Sequence, residues 1–230
     1  MPLVDELPQA IRTGRYVVGR PWADGFARGT LAVLEENLPI PEYGGFRDWR
    51  EIRVDGAAWL YVAHAGNDYD ICTNSAPVQR VLRLRARAFD AGLTGWERRL
   101  GHVALYDVID TRHGTVLGML VVRTWLLLAR RRRIDLHAPG GDPQGHVMES
   151  GPFRFRRFMP FGASKWRIAD AAGHRFGRMA HRRRIFAKRF VIDMTGSRGR
   201  DVDPCLVLAA ATVIGLGMPA DGFLGNYLRP

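Results

Sequence analysis

Two short runs of basic residues hold the side chains in this sequence whose types and spacing could do chemistry. The first run is Arg130, Arg131, Arg132 and Arg133, and the second, after His181, is Arg182, Arg183 and Arg184. Guanidinium groups that lie within one Debye length of each other can bind phosphate groups together. We therefore predict that these seven arginines bind lipid headgroups or other anions. A solvated turn without a ligand is the alternative for the first run.

The distribution of charge also points to an anionic partner. The net charge is +11, but residues 1–115 hold 14 Arg, no Lys and 15 acidic residues, a net of −1. Residues 116–230 hold 18 Arg, 2 Lys and 8 acidic residues, a net of +12. Because the excess is confined to one half, we expect a lipid, a nucleic acid or an acidic protein surface as the partner. For any single Arg, the alternative explanation is a general bias of the genome toward Arg in place of Lys.

Motifs of catalysis and of cofactor binding are missing from the sequence. The segment "FGASKW" holds a Lys without the glycines of a phosphate-binding loop, and neither Gly-x-Ser-x-Gly nor His-Glu-x-x-His occurs. The seven histidines include no pair three or four residues apart, which is the spacing of zinc ligands on a helix. We therefore expect that the protein is not an enzyme and that it has neither a cofactor nor a metal site. Asp110 and Asp170 are interpreted as turn residues, and Cys205 as a buried thiol.

Alternating residues indicate the β-strands that must position the basic side chains. In "RVLRLRARAF", residues 80–89, apolar residues alternate with Arg, and "FRFRRF", residues 153–158, alternates in the same way. A period of two predicts strands with an apolar inner face and guanidinium groups outside. The run over residues 116–133 is interrupted by Arg123 and is rich in β-branched residues, which favours a strand or hairpin over a membrane helix.

A repeat organises the C-terminal two-thirds of the chain. "YDVIDTRHGTVLGML" begins at residue 106 and "WRIADAAGHRFGRM" at residue 166, and each places an Asp before two glycines. These residues are Asp110, Gly114 and Gly118 in the first copy, and Asp170, Gly173 and Gly177 in the second. Asp and Gly between alternating runs are typical of hairpin turns. Together with the strand, turn and strand of residues 134–149, they predict an antiparallel sheet that closes on itself.

The most apolar run of the chain is "DPCLVLAAATVIGLGMP", residues 203–219. As a helix, residues 205–218 would be about 21 Å long, whereas the hydrocarbon core of a membrane is about 30 Å thick. The many small residues favour burial inside protein instead. Asp203 and Pro204 suit the start of a helix and Pro219 suits its end. We predict a buried helix over residues 204–217.

Five segments follow one another in a recognisable order. They are "IDLHAPGGDPQGHVME", "WRIADAAGHRFGRM", "RRRIFAKRFVIDMTG", the acidic step "RDVD" and the apolar run. This order resembles the phospholipid scramblase and LURP-one-related branch of the Tubby C-terminal-like superfamily, and the similarity covers roughly residues 71–218. The resemblance implies a mainly β fold, in which a closed antiparallel barrel of about twelve strands surrounds a hydrophobic C-terminal helix. It also implies phospholipid binding and association with a membrane.

The sequence departs from that family in three respects. The family's Pro-rich N-terminal region and the cysteine cluster that carries lipid are both missing. The segment that corresponds to the family's proposed calcium site, "DMTGSRGRDVD", leaves Asp193, Asp201 and Asp203, with Arg198 and Arg200 between them. Calcium prefers six to eight oxygen ligands, so we expect no calcium here. Asp193 is interpreted as a turn residue and Asp203 as a helix cap.

The predicted organisation has three parts. A turn-rich N-terminal arm covers residues 1–55, with a short helix near residues 29–37. The barrel covers residues 56–220 and includes the central helix at residues 204–217. A C-terminal tail covers residues 221–230.

The predicted function is non-enzymatic binding of anionic lipid headgroups or of a membrane surface. A structural or accessory subunit, docking in a larger assembly through the N-terminal arm, is the alternative. Nucleic-acid binding is a weaker alternative, because Phe153 and Phe155 alternate away from the neighbouring arginines. The N-terminus lacks the features of a signal peptide, and only two cysteines occur. We therefore expect an intracellular protein, cytoplasmic or peripheral on a membrane, without a transmembrane span.

Overall fold

A computed structural model describes part of this chain. The described residues are 7, 9–19, 50–54, 57–65, 67–73, 79–89, 94, 101–125, 131–150, 165–184, 187–196 and 201–216. The predicted helix near residues 29–37, the predicted strand at residues 153–158 and the predicted tail at residues 221–230 lie outside them.

The described part of the chain contains twelve β-strands and two α-helices. The strands are β1 (Arg15–Gly19), β2 (Arg50–Val54), β3 (Ala57–Ala65), β4 (Asp68–Thr73), β5 (Arg80–Phe89), β6 (Gly101–Asp110), β7 (Thr115–Trp125), β8 (Arg133–His137), β9 (Pro143–Glu149), β10 (Lys165–Asp170), β11 (Arg175–Arg184) and β12 (Ala187–Asp193). The helices are α1 (Gln9–Thr13) and α2 (Pro204–Leu216). The prediction of a mainly β fold is confirmed.

The strands form an antiparallel sheet in which sequence neighbours pair from β2 through to β12. β1 pairs with β12 on one side and with β2 on the other, so the strand order returns to its start as a closed ring. At the β1–β12 seam, Arg15 lies opposite Asp193 and Val18 lies opposite Phe190. A closed order leaves no strand edge unpaired, which removes a site for aggregation.

The strand β5 shows how the predicted alternation determines the two faces of the sheet. Leu82 and Leu84 are fully buried in the hydrophobic core, whereas Arg85 and Arg87 are exposed and Arg83 is half-buried. Apolar side chains therefore point inward and arginines outward, as the pattern predicts.

The helix α2 lies in the core, and its bounds confirm the predicted helix to within one residue. Every side chain described from Cys205 to Ile214 is buried, and the helix packs against β7, β1 and β12. Small residues allow the close packing, because a Cβ added to Gly215 would lie 2.8 Å from Val18 Cγ1. The predicted cap is also confirmed, since Asp203 Oδ1 accepts a hydrogen bond of 2.7 Å from the Cys205 amide.

The repeated Asp and Gly residues form the β6–β7 and β10–β11 turns, as predicted. Asp110 accepts a hydrogen bond from the Arg112 amide, and Asp170 accepts one from the His174 amide. Gly114 and Gly173 have φ angles of 65° and 85°, which a residue with a Cβ adopts at a cost. Both hairpins therefore depend on these turn residues.

The predicted boundary at residue 55 falls inside the sheet. β1 and β2 belong to the segment that was predicted as an arm, yet β2 pairs with β3 and β1 pairs with β12. The first strands were missed because each is only five residues long and lies in a turn-rich sequence with little alternation to detect.

Candidate anion-binding surface

The two predicted basic clusters lie at the same end of the sheet. Arg131 and Arg132 precede β8, Arg133 begins it, and Arg182 to Arg184 end β11. Because neighbouring strands are antiparallel, β8 and β11 run in opposite directions. The first residue of β8 and the last residue of β11 therefore lie at the same end of the sheet. Arg130 lies outside the described residues.

The hairpin of β11 and β12 pairs basic residues directly with each other. Arg182 lies opposite Arg189, and Arg183 lies opposite Lys188. The side chains of these four residues lie outside the described part of the structure, so the anion binding predicted for Arg182, Arg183 and Arg184 stays a prediction.

Arg132 does not belong to an exposed anion site, which corrects the prediction for this residue. Its residue exposure is only 9%. Its guanidinium lies 3.4 Å from Glu149 Oε1 and 5.3 Å from the centre of the Trp166 ring. The Glu149 amide also donates to the Arg132 carbonyl at 3.0 Å. Arg132 is therefore held in a buried ion pair, while the neighbouring Arg131 and Arg133 are exposed.

Five arginines from five strands form a single line across the outer face of the sheet, which we name the arginine row. Backbone pairing places the following residues directly opposite one another in sequence around the sheet: Arg123, Arg133, Met148, Arg167, Arg178, Asp193 and Arg15. These seven positions cross seven strands, which corresponds to about 29 Å at about 4.8 Å for each step between strands. The row thus extends over seven of the twelve described strands, so only neighbouring members can contact one flat surface together.

Two carboxylates in or beside the arginine row each bind two arginines. Asp135 accepts hydrogen bonds from Arg123 Nε, at 3.1 Å, and from Arg133 Nε. Asp193 binds Arg15 and Arg178, each with a shortest distance of 3.2 Å. Arg167, in the middle of the row, forms no ion pair with a carboxylate among the described residues. The row therefore keeps an excess of positive charge.

Solvent reaches the guanidinium groups of the row although the carboxylates between them are largely covered. The side chains of Arg178 and Arg15 are 72% and 65% exposed, whereas that of Asp193 is 10% exposed. A ligand approaching from solvent would therefore meet guanidinium groups first. Each guanidinium has five N–H donors, so one carboxylate leaves donors available for phosphate oxygens.

The pKa of the Asp193 carboxyl is lowered from its ordinary value. Burial acts to raise it, but hydrogen bonds from Thr195 and Arg178 and the charge of Arg15 outweigh that effect. The Thr195 amide donates to Asp193 Oδ1 at 3.2 Å, which confirms Asp193 as a turn residue. Asp193 therefore stays ionised at neutral pH and holds both arginines.

His146 lies beside the row, opposite Asp135 on β8. Burial lowers the pKa of this histidine, the charge of Arg133 lowers it further, and Asp135 and Asp170 act in the opposite direction. His146 is therefore mainly neutral at neutral pH, and the positive charge of this region comes from arginine.

The thiols of Cys72 and Cys205 are both buried. Burial raises the pKa of the Cys72 thiol to about 12, with a further contribution from Asp70, and burial also raises the pKa of Cys205. A protonated thiol is a poor nucleophile. Across the part of the chain that the structure describes, no three His, Cys, Asp or Glu residues come together as possible metal ligands.

Four members of the arginine row were missed from the sequence: Arg15, Arg123, Arg167 and Arg178. Each stands apart from other row members in the sequence, and only the pairing of strands brings them together. The outward position of each Arg could be inferred from strand alternation. Their alignment could not, because it depends on the register of six strand pairs.

In the described ranges, no helix has both the length and the apolar composition that crossing a membrane requires. Comparisons with protein-family models, with curated proteins and with solved structures found no match to this chain.

Proposed function

We propose that this protein is a non-enzymatic binding domain that attaches to anionic lipid headgroups at a membrane surface. In this proposal it is a scramblase-like and LURP-one-like member of the Tubby C-terminal-like fold. A sheet with a closed strand order and a buried C-terminal helix supports that fold assignment. The order of sequence motifs over residues 71–218 supports it independently.

The observation that carries the functional proposal is the arginine row. Five guanidinium groups are aligned by register on the outer face, and the two adjacent carboxylates, Asp135 and Asp193, neutralise only part of their charge. A basic residue near an anionic membrane contributes about 1 kcal/mol of binding free energy. Several such residues acting together give reversible binding that weakens with salt.

Flotation with vesicles tests the proposal. Wild-type protein should float with vesicles of phosphatidylcholine mixed with phosphatidylserine, and not with vesicles of phosphatidylcholine alone. Binding should fall as the Debye length shortens from about 10 Å at 0.1 M salt to about 3 Å at 1 M salt. Equal or negligible binding to both vesicle types, at low salt, contradicts the proposal.

A docking subunit in a larger assembly is the second candidate, because the same exposed arginines could contact an acidic protein surface. Arginine is enriched among the residues that dominate binding at protein interfaces. A stoichiometric partner that co-purifies with wild-type protein and is lost in the Arg167→Gln variant, without any binding to vesicles, would select this candidate.

A further inference from the structure

Positive charge is distributed unequally around the ring of strands. The strands β10, β11, β12 and β1, whose outer surface we name the seam face, contain five basic residues whose side chains the structure describes: Lys165, Arg167, Arg175, Arg178 and Arg15. They contain only two acidic residues, Asp170 and Asp193. The strands β4 to β8 contain six arginines against five aspartates. The seam face therefore has the larger net positive charge among the described side chains.

On the opposite side of the ring, the four aspartates of β4 and β6 equal the four arginines of β5 in number, and two of them contact all four arginines. Asp70 contacts Arg83 at 2.8 Å and Arg80 at 3.4 Å. Asp107 contacts Arg85 at 3.0 Å and Arg87 at 3.8 Å. β5 lies six strands from β11 in the order of the ring, so this neutralised surface faces away from the seam face.

The seam face also has a strip of small and apolar residues. Ala180, Val191 and Val17 lie directly opposite one another and are half-buried. This strip of small and apolar residues runs beside the arginine row, two register positions from Arg178, Asp193 and Arg15. Short side chains beside the arginine row leave its longer guanidinium side chains free to reach a surface first.

We infer that the seam face is the surface that docks on an anionic phospholipid bilayer, so that the protein lies on its side against the membrane. Arg167, Arg178 and Arg15 donate hydrogen bonds to lipid phosphate oxygens, and the Ala180, Val191 and Val17 strip lies against the interface. This inference rests on the proposed function and adds the orientation of the bound protein. The β4–β6 side faces solvent in that orientation.

Two double variants with equal loss of charge test the inference. Arg167→Gln with Arg178→Gln removes two charges from the seam face and leaves Asp193 bound by Arg15. Arg80→Gln with Arg87→Gln removes two charges from the opposite side and leaves Arg83 on Asp70 and Arg85 on Asp107. Because neither pair leaves a carboxylate without an arginine, both proteins should fold, which thermal unfolding checks.

The seam variant should bind vesicles containing phosphatidylserine more weakly, by about fivefold for each charge removed. The control variant should lose less than about twofold at 0.1 M salt, because its charges lie beyond about one Debye length from the bilayer. Equal losses in both variants overturn the inference and leave the proposed function standing. Wild-type protein that fails to bind these vesicles overturns the proposed function itself, together with the docking orientation.

A fluorescent probe gives an independent measure of orientation. Ala180→Cys and Ala88→Cys place single labels on half-buried outer positions of β11 and β5, because the natural Cys72 and Cys205 are buried. A polarity-sensitive label at residue 180 should shift to shorter wavelength on adding vesicles, and one at residue 88 should not. The reverse result, or equal shifts, contradicts docking through the seam face.

Discussion

Arg15 and Asp193 connect the first strand of the sheet to the last, with Arg15 Nε donating to Asp193 Oδ2 at 3.2 Å across 178 residues of sequence. Arg178 approaches the same carboxylate oxygen from β11, also at 3.2 Å. Asp193 is thus bound from both neighbouring strands at the place where the ring closes. One carboxylate serves both to hold the seam and to set the spacing of two arginines on the seam face.

Asp193→Asn should destabilise the fold by about 1–2 kcal/mol at pH 7, since two arginines then face each other without a counterion and solvent screens part of the cost. The lowered pKa of Asp193 means that its stabilisation is present above the ordinary Asp pKa of about 3.9. It is lost as the pH falls through the lower folded-state pKa.

Urea denaturation of wild type and Asp193→Asn between pH 7 and pH 2 measures this effect. The difference in unfolding free energy between the two proteins should shrink as the solution becomes acidic. Asp142→Asn, in the exposed β8–β9 turn, is the control for removing a surface charge. A difference that stays constant or grows in acid would contradict the role assigned to Asp193.

Arg132 and Arg133 are adjacent in sequence and should behave differently when substituted. Arg132→Gln breaks the buried pair with Glu149 and should cost about 3–5 kcal/mol of stability. Arg133→Gln leaves Asp135 bound by Arg123, so it should change stability by less than about 1 kcal/mol. It should weaken vesicle binding less than Arg178→Gln does, because β8 lies three strands from β11. Denaturation and flotation of both variants check this separation, and equal effects on stability would disprove it.

Asp203 can be replaced by Asn without loss of the helix cap, because both side chains accept the Cys205 amide. Asp203→Ala should cost about 1 kcal/mol. Burial raises the pKa of Asp203, although hydrogen bonds from Cys205 oppose it. The ionised form is therefore less favourable in the fold, and wild type should lose stability relative to Asp203→Asn as pH rises above about 3.9. Urea denaturation of wild type and Asp203→Asn at pH 3 and pH 7 measures this difference in stability. A wild type that gains stability relative to Asp203→Asn at pH 7 would contradict the prediction.

The two glycines of the first repeat should differ in what they tolerate. A Cβ at Gly118 would lie 2.3 Å from the His137 carbonyl oxygen, so Gly118→Ala should cost about 3 kcal/mol, the upper end of the usual cost of overpacking, because the clash is with backbone. Gly114 has open space around it and a φ of +65°, so Gly114→Ala should cost about 1 kcal/mol. Asn accepts a left-handed conformation, and Gly114→Asn should therefore recover stability while Gly118→Asn should not. Thermal unfolding of the four variants tests these expected differences in stability.

Ala210→Arg should unfold the protein, since residue 210 is fully buried in α2 and an unpaired buried charge costs several kcal/mol. Ala172→Arg, in the exposed β10–β11 turn, adds the same charge at a position that should tolerate it. Circular dichroism distinguishes the two variants. A folded Ala210→Arg protein would contradict the placement of α2 in the core.

Much of the fold could be predicted from local sequence because local chemistry determines it. Alternating Leu and Arg predicted β5 and its two faces, and Asp110 with Gly114 predicted the first repeat turn. The small residues after Asp203 predicted a buried helix and its cap. β1 and β2 were placed in an arm because short strands without alternation carry no such signal.

The candidate site could be predicted only in part, and the reason is physical. Composition alone determined that this chain is basic toward its C-terminus, and strand alternation determined that many arginines point outward. Only the tertiary structure decided that Arg132 is buried against Glu149 and that Arg15, Arg167 and Arg178 belong to one surface. Ion pairing and alignment across strands depend on register between residues far apart in the chain, and no local pattern encodes that register.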